Sequence, residues 1–269
     1  MLRRRFTLPW CAATLRAFAP QEPPLGVFDA PRLAPLHTLQ TILLVAPVLL
    51  FSVIAHEIAH GYAALRQGDR TALEAGRLSW NPLKHIDPYL TILLPLIMLT
   101  GSTLAGRSVV FGGAKPVPVD PRNYRNLRSG DIIVSLAGVA TNLFIAVICA
   151  GLIVVTGLAA RVAPALGDTI GILQAMFTVG VMLNFGLIVF NLLPIPPLDG
   201  SHVMKYLLPR PLAIQYVRFG RYGLLVLMLL VFMGGGILRA WYTPAFIATQ
   251  RVLAGVEPYL VPAAGQWLQ

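Results

Sequence analysis

His56-Glu57-Ile58-Ala59-His60 sets two imidazoles four residues apart, with a carboxylate beside the first. On a helix, residues i and i+4 share a face, so both rings can reach one Zn²⁺. Glu57 then stands where it can take a proton from a water activated by that metal. The residues before the motif, Leu39 to Ala55, carry no charge and only Gln40, Thr41 and Ser52 as polar side chains. Ionisable groups at bilayer depth are costly, so such a cluster in an apolar run marks a functional site.

Two histidines need at least one more ligand. The HExxHxxGxxH arrangement would require glycine at 63 and histidine at 66, but those residues are Ala63 and Arg66. Asp69, Glu74, His85 and Asp87 follow in the next polar stretch. A distant candidate is Asp199, within Asn191-Leu192-Leu193-Pro194-Ile195-Pro196-Pro197-Leu198-Asp199-Gly200. Three prolines there remove backbone donors and break a helix expected to end near Leu193. The unwound segment would then present Asp199, and irregular backbone at membrane depth is tolerated only where protein or a wet cavity surrounds it.

These groups sit in a chain of 269 residues that is 56% hydrophobic and 12% charged. A soluble domain carries roughly twice that charged fraction. Apolar stretches at about 39–66, 90–105, 131–158, 169–193 and 222–238 predict an all-α polytopic membrane protein, embedded in a lipid bilayer. The expected division is an N-terminal arm over 1–37, a membrane core over 38–238 and an interfacial tail over 239–269. Trp241, Tyr242 and Trp267 suggest anchors in that tail. The net charge of +10 is spread through loops between spans, which argues against a nucleic-acid partner. Cys11 and Cys149 form no ligand pattern.

For His56 and Asp199 to share an ion, helices 39–66 and 169–193 must run in the same direction. The stretch 90–105 must then dip into the membrane and return. It is short and interrupted by Pro95 and Gly101. About four full spans plus this re-entrant segment result. The loops beside the site carry Arg70, Arg77, Lys84, Lys115, Arg122, Arg125, Lys205 and Arg210, which predicts a cytoplasmic site in a cell membrane. The segment Lys115–Pro121 alternates prolines with valines and reads as extended chain, a possible edge for a substrate strand.

With both motifs in hand, the chain resembles the site-2 protease family of intramembrane zinc metalloproteases, in its compact form without a PDZ domain. The resemblance runs from about Leu39 to Leu238 and includes Gly76 to Pro88, Ala114 to Val119 and Leu136 to Asn142. It implies one zinc held by His56, His60 and Asp199, with Glu57 as general base. Asn142 and Asn191 would line the site and position substrate. The third helix departs from the family pattern at Val139, where proline is usual. The implied substrate is a membrane-anchored protein cut in or near its transmembrane segment, with room for a regulatory partner; oligomeric state is left open. The alternatives from other classes are a zinc- or proton-handling transporter and a scaffold with a structural zinc. His85 and His202 are expected as loop or interfacial histidines, Asn184 as a packing residue, and Asp87 and Asp131 as helix starts.

Overall fold

The uninterrupted apolar run before the HEIAH motif folds, as its composition demands, into helix α1 (Pro35–Gln67), which carries Pro47 within it. Its end is sharply defined. Gly68 takes φ 109°, and the amides of Gly68 and Asp69 bond back to the carbonyls of Leu65 and Ala64. This is the Schellman pairing that satisfies the last carbonyls of a helix. The computed structural model describes residues 35–89 and 113–267. The expected arm over 1–37 falls almost wholly outside the described residues, as does the segment 90–105.

After α1 come a single turn, α2 (Thr71–Glu74), and an irregular stretch ending in a 3-10 turn at Pro82–His85. The chain re-enters at 113 and begins α3 (Leu127–Val162), capped by the Asn126 side chain, which accepts from Ser129 N at 3.1 Å. At about 1.5 Å per residue α3 spans roughly 54 Å, well beyond the apolar thickness of a bilayer. A short 3-10 turn at Pro164–Leu166 returns the chain into α4 (Gly167–Asn191). Beyond the prolines follow α5 (Asp199–Leu207), α6 (Arg210–Phe219), α7 (Gly223–Met233), α8 (Gly235–Val256) and α9 (Pro262–Trp267). No strand occurs among the described residues.

Among the described residues, four helical stretches are long and apolar enough to cross a membrane: Leu43–Gln67, Leu127–Val162, Pro164–Asn191 and Arg210–Val231. The protein is an all-α, multi-pass membrane protein. Helices α1, α3 and α4 pack together around Ala55, Ile145, Cys149 and Val181. In lipid such packing rests on close contact and interhelical hydrogen bonds, because apolar burial gains little there. One such bond joins Asn184 on α4 to Ser52 on α1 at 2.9 Å, so Asn184 has the packing role its position suggested.

Helix α1 ends where α3 begins, with Arg125 N bonded to Gln67 O at 2.8 Å. The two borders of the undescribed 90–112 stretch are also held near one another, since Lys115 N bonds to His85 O at 2.8 Å. Both connections keep the loops at the end of the bundle that carries the HEIAH motif. Residues from 239 onward continue helix α8 and pack on α4: Trp241 Nε1 donates to Val189 O at 2.8 Å, and Tyr242 lies against the cluster of Leu193, Leu198, Leu227 and Leu238.

Candidate active site

The parallel course of α1 and α4 brings the two sequence motifs to one end of the bundle. His56 and His60 are buried on α1, and their Nε2 atoms lie 3.0 Å apart. Asp199 Oδ2 is 3.2 Å from His56 Nε2 and 3.4 Å from His60 Nε2. This oxygen is buried without a hydrogen-bond partner. The expectation of an unwound Asp199 needs correction. Helix α4 stops at Asn191, the prolines fill turns, and Asp199 opens α5 as its first residue. The start of α5 presses on the end of α4: a Cβ added at Gly200 would lie 2.3 Å from Leu192 O.

Helix α3 supplies the wall. His60 Nδ1 donates to Val134 O at 2.7 Å, which leaves the Nε2 lone pair facing the cluster. A Cβ at Gly138 would sit 2.5 Å from the His56 ring, so only glycine lets α3 approach this closely. One turn further, Asn142 is wholly buried, and neither its amide nitrogen nor its oxygen has a partner. Asn191, at the end of α4, is half-buried and turns its amide back to Leu187 O at 3.0 Å.

Glu57, next to His56 on α1, accepts from Val117 N through its Oε2 at 2.8 Å. Between Pro116 and Pro118, neither of which has an N–H, this amide is the segment's local backbone donor. Arg77 holds the segment through Lys115 O at 2.8 Å. Asp69 holds its other end. It accepts from Asp120 N at 2.7 Å and Asn123 Nδ2 at 3.0 Å, besides Thr71 N at 3.0 Å. Burial works against the Asp69 charge, but these donors prevail and hold its carboxyl below the usual carboxylate range.

Comparison with known proteins identifies relatives of the chain. The model for peptidase family M50 matches residues 163–233. A Bacillus subtilis protein named "Putative zinc metalloprotease YwhC" is 37% identical over 185 residues, which cover 68% of this chain and 77% of that protein. "Putative zinc metalloprotease Rip2" of Mycolicibacterium smegmatis is 31% identical over 246 residues, 90% of this chain and 86% of that one. The chain belongs to peptidase family M50, the site-2 protease family. No solved structure matches it.

This family member is a zinc metalloprotease, and its donor set suits the metal. Donors about 2.0–2.1 Å from one cation at tetrahedral angles lie about 3.3 Å from one another. The observed separations of 3.0, 3.2 and 3.4 Å match that spacing. Two neutral imidazoles and a carboxylate are ordinary zinc donors. Among the described residues, His56, His60 and Asp199 are the one group of metal-ligating side chains so gathered.

Other sequence expectations sort differently. Nearby candidates for the third ligand are occupied elsewhere: Asp69 in its loop, and His85 on Ser79 O at 2.8 Å. Asp87 accepts from Tyr89 N at 2.8 Å just where a helical stretch begins at Pro88, the helix start expected of it. Asp131 does not start a helix, because α3 begins earlier, at Leu127. It is instead buried against α5, where His202 Nδ1 lies 3.1 Å from Oδ1, and Lys205 and Tyr206 donate to Oδ2. Burial and the neighbouring carboxylate push the Tyr206 phenol up to about 12, so it stays a donor. No sequence signal paired Asp131 with α5, and none paired Val117 with Glu57.

Proposed function

We propose that the protease hydrolyses peptide bonds in or beside the transmembrane segments of membrane-anchored proteins. In this reading His56, His60 and Asp199 hold one zinc, and Glu57 is the general base. The observation that carries it is the triangle of donor atoms, formed by a helix apolar enough to span a membrane and the first residue of the short helix that follows a second.

Zinc bound there would supply Lewis acidity and make water a nucleophile near neutral pH. Glu57 takes the proton of the attacking water and returns it to the leaving nitrogen of the scissile bond. Its carboxylate is kept in place by the Val117 amide, leaving Oε1 for the incoming proton. Fixed Nε2 lone pairs on both histidines depend on α3, through Val134 O for His60 and close packing for His56. A helical substrate has its carbonyls engaged, so it must unwind before cleavage. Asn142, buried with two unspent polar atoms, is suited to bond the unwound backbone. Asn191 is the weaker candidate for that work, since its amide nitrogen already serves α4.

Basic residues in the loops at this end, among them Arg70, Arg77, Arg122 and Arg125, favour a cytoplasmic site in a cell membrane. A transporter would also use intramembrane His and Asp, but the donor triangle with an adjacent carboxylate base favours hydrolysis. The test is purified protein in lipid vesicles with a tagged single-span substrate. Cleavage should occur within or near the span, stop with a chelator and resume with zinc. Zinc-loaded protein that leaves such substrates intact would refute the reading.

A further inference from the structure

Helix α3 provides none of the three clustered donor atoms, yet one of its stripes touches every element that does. Gly138 packs on the His56 ring, and Val134 O accepts from His60. Asp131, one turn before Val134 on the same stripe, meets α5, the helix that starts with Asp199. The spacing 131, 134, 138 is i, i+3, i+7, a single helical face.

Helix α5 needs such a reference. It has nine residues, too few to hold a helix on its own, and it follows a segment with three prolines. Its first residue must still reach two histidines on another helix. Asp131 is 2% exposed and binds three α5 side chains at once: His202, Lys205 and Tyr206. Asp199, His202 and Tyr206 are again spaced i, i+3, i+7. The stripe of α5 that offers Asp199 to α1 therefore offers the clamp to α3. A turn of α5 about its axis cannot move Asp199 without breaking the clamp.

We infer that Asp131 is a positioning residue for the metal site: it fixes the rotation and reach of α5, and thereby the place of Asp199 relative to His56 and His60. This rests on the proposed ligand role of Asp199, and the experiment separates the two. Zinc affinity is measured by competition with a chromophoric chelator in wild-type protein and in Asp131→Asn, Tyr206→Phe and Asp199→Ala. The rise in melting temperature on adding zinc to metal-free protein is recorded alongside. A merely structural clamp would lower the melting temperature with and without zinc alike and leave the zinc-induced rise intact. Positioning predicts a smaller rise and zinc affinity weakened about 10–100-fold in Asp131→Asn, the range seen when supports of ligands are lost. Tyr206→Phe removes one hydroxyl and should weaken zinc several-fold, which keeps the test open where Asp131→Asn does not fold. If Asp199→Ala loses zinc while Tyr206→Phe and any folded Asp131→Asn bind it as wild type does, the inference is wrong. If Asp199→Ala itself keeps full affinity, the ligand assignment fails first.

Discussion

Helices α3 and α4 meet buried polar groups at both ends, and the two ends are finished in opposite ways. At the far end, Gln174 is wholly buried and fully spent. Its amide nitrogen donates to Ile153 O at 3.1 Å, Thr156 Oγ1 at 3.3 Å and Tyr259 O at 2.9 Å, while its oxygen accepts from Val261 N at 2.8 Å. At the motif end, His56 Nδ1, both polar atoms of Asn142 and Asp199 Oδ2 are buried without hydrogen-bond partners, and Asp199 Oδ2 faces only the two histidine rings. Burying unsatisfied polar atoms costs about 1–3 kcal/mol each, so a chain tolerates them where something else is to be bound. The satisfied end is architecture; the unsatisfied end is chemistry.

Asp199→Ala tests that contrast most severely. It removes one of three proposed ligands, so zinc content and cleavage should both be lost, as read by metal analysis of the purified protein. Stoichiometric zinc in that variant would mean that Asp199 Oδ2 is not a ligand. Glu57→Gln comes next. Zinc should stay, because Glu57 touches Val117 rather than the donor triangle, while cleavage falls by about 10²–10⁴-fold, the usual contribution of a general base. Near-normal turnover would take the base role from Glu57.

Asn142→Leu should act more gently and in a revealing direction. Replacing an unsatisfied buried amide by an apolar group of similar shape is close to neutral or stabilising, whereas one lost substrate hydrogen bond slows cleavage about tenfold. Thermal melting together with the cleavage rate decides it. A clear drop in melting temperature would show that Asn142 has a structural partner and does not wait for substrate.

The motif end was the more legible in the sequence, for the same reason that it is incomplete. HEIAH in an apolar helix and Asp199 behind three prolines are conflicts between residue type and setting, and conflicts are visible without coordinates. The parallel course of α1 and α4 followed from requiring those conflicts to resolve each other. What was hidden is the support. Asp131 reads as a helix start because Arg125 and Arg128 interrupt the hydropathy just before it, although α3 begins at Leu127. Asp199 was expected in unwound chain, since prolines announce where a helix stops but not where the next one starts. Val117 and Glu57 are 60 residues apart, and no periodicity links an amide to a carboxylate across that distance. The interfacial tail expected over 239–269 begins inside a helix, Gly235–Val256, that packs on α4, a continuity that Arg239, Pro244 and Arg251 hide in the hydropathy.

Gln174 is the control for the other half of the comparison. It ties the C-terminal turn at Glu257–Tyr259 between α3 and α4, where a Cβ on Gly157 would lie 2.0 Å from Tyr259 O. Gln174→Leu strips partners from Tyr259 O and Val261 N, and it leaves the donor triangle untouched at the opposite end of the pair. The expected cost is about 1–3 kcal/mol of stability, seen as a lower melting temperature in detergent, with zinc affinity and cleavage rate below the transition unchanged. A loss of zinc affinity without a loss of stability would join the two ends energetically. The far-end hub would then belong to the machinery of the site, and the division between architecture and chemistry drawn from satisfied and unsatisfied groups would fail.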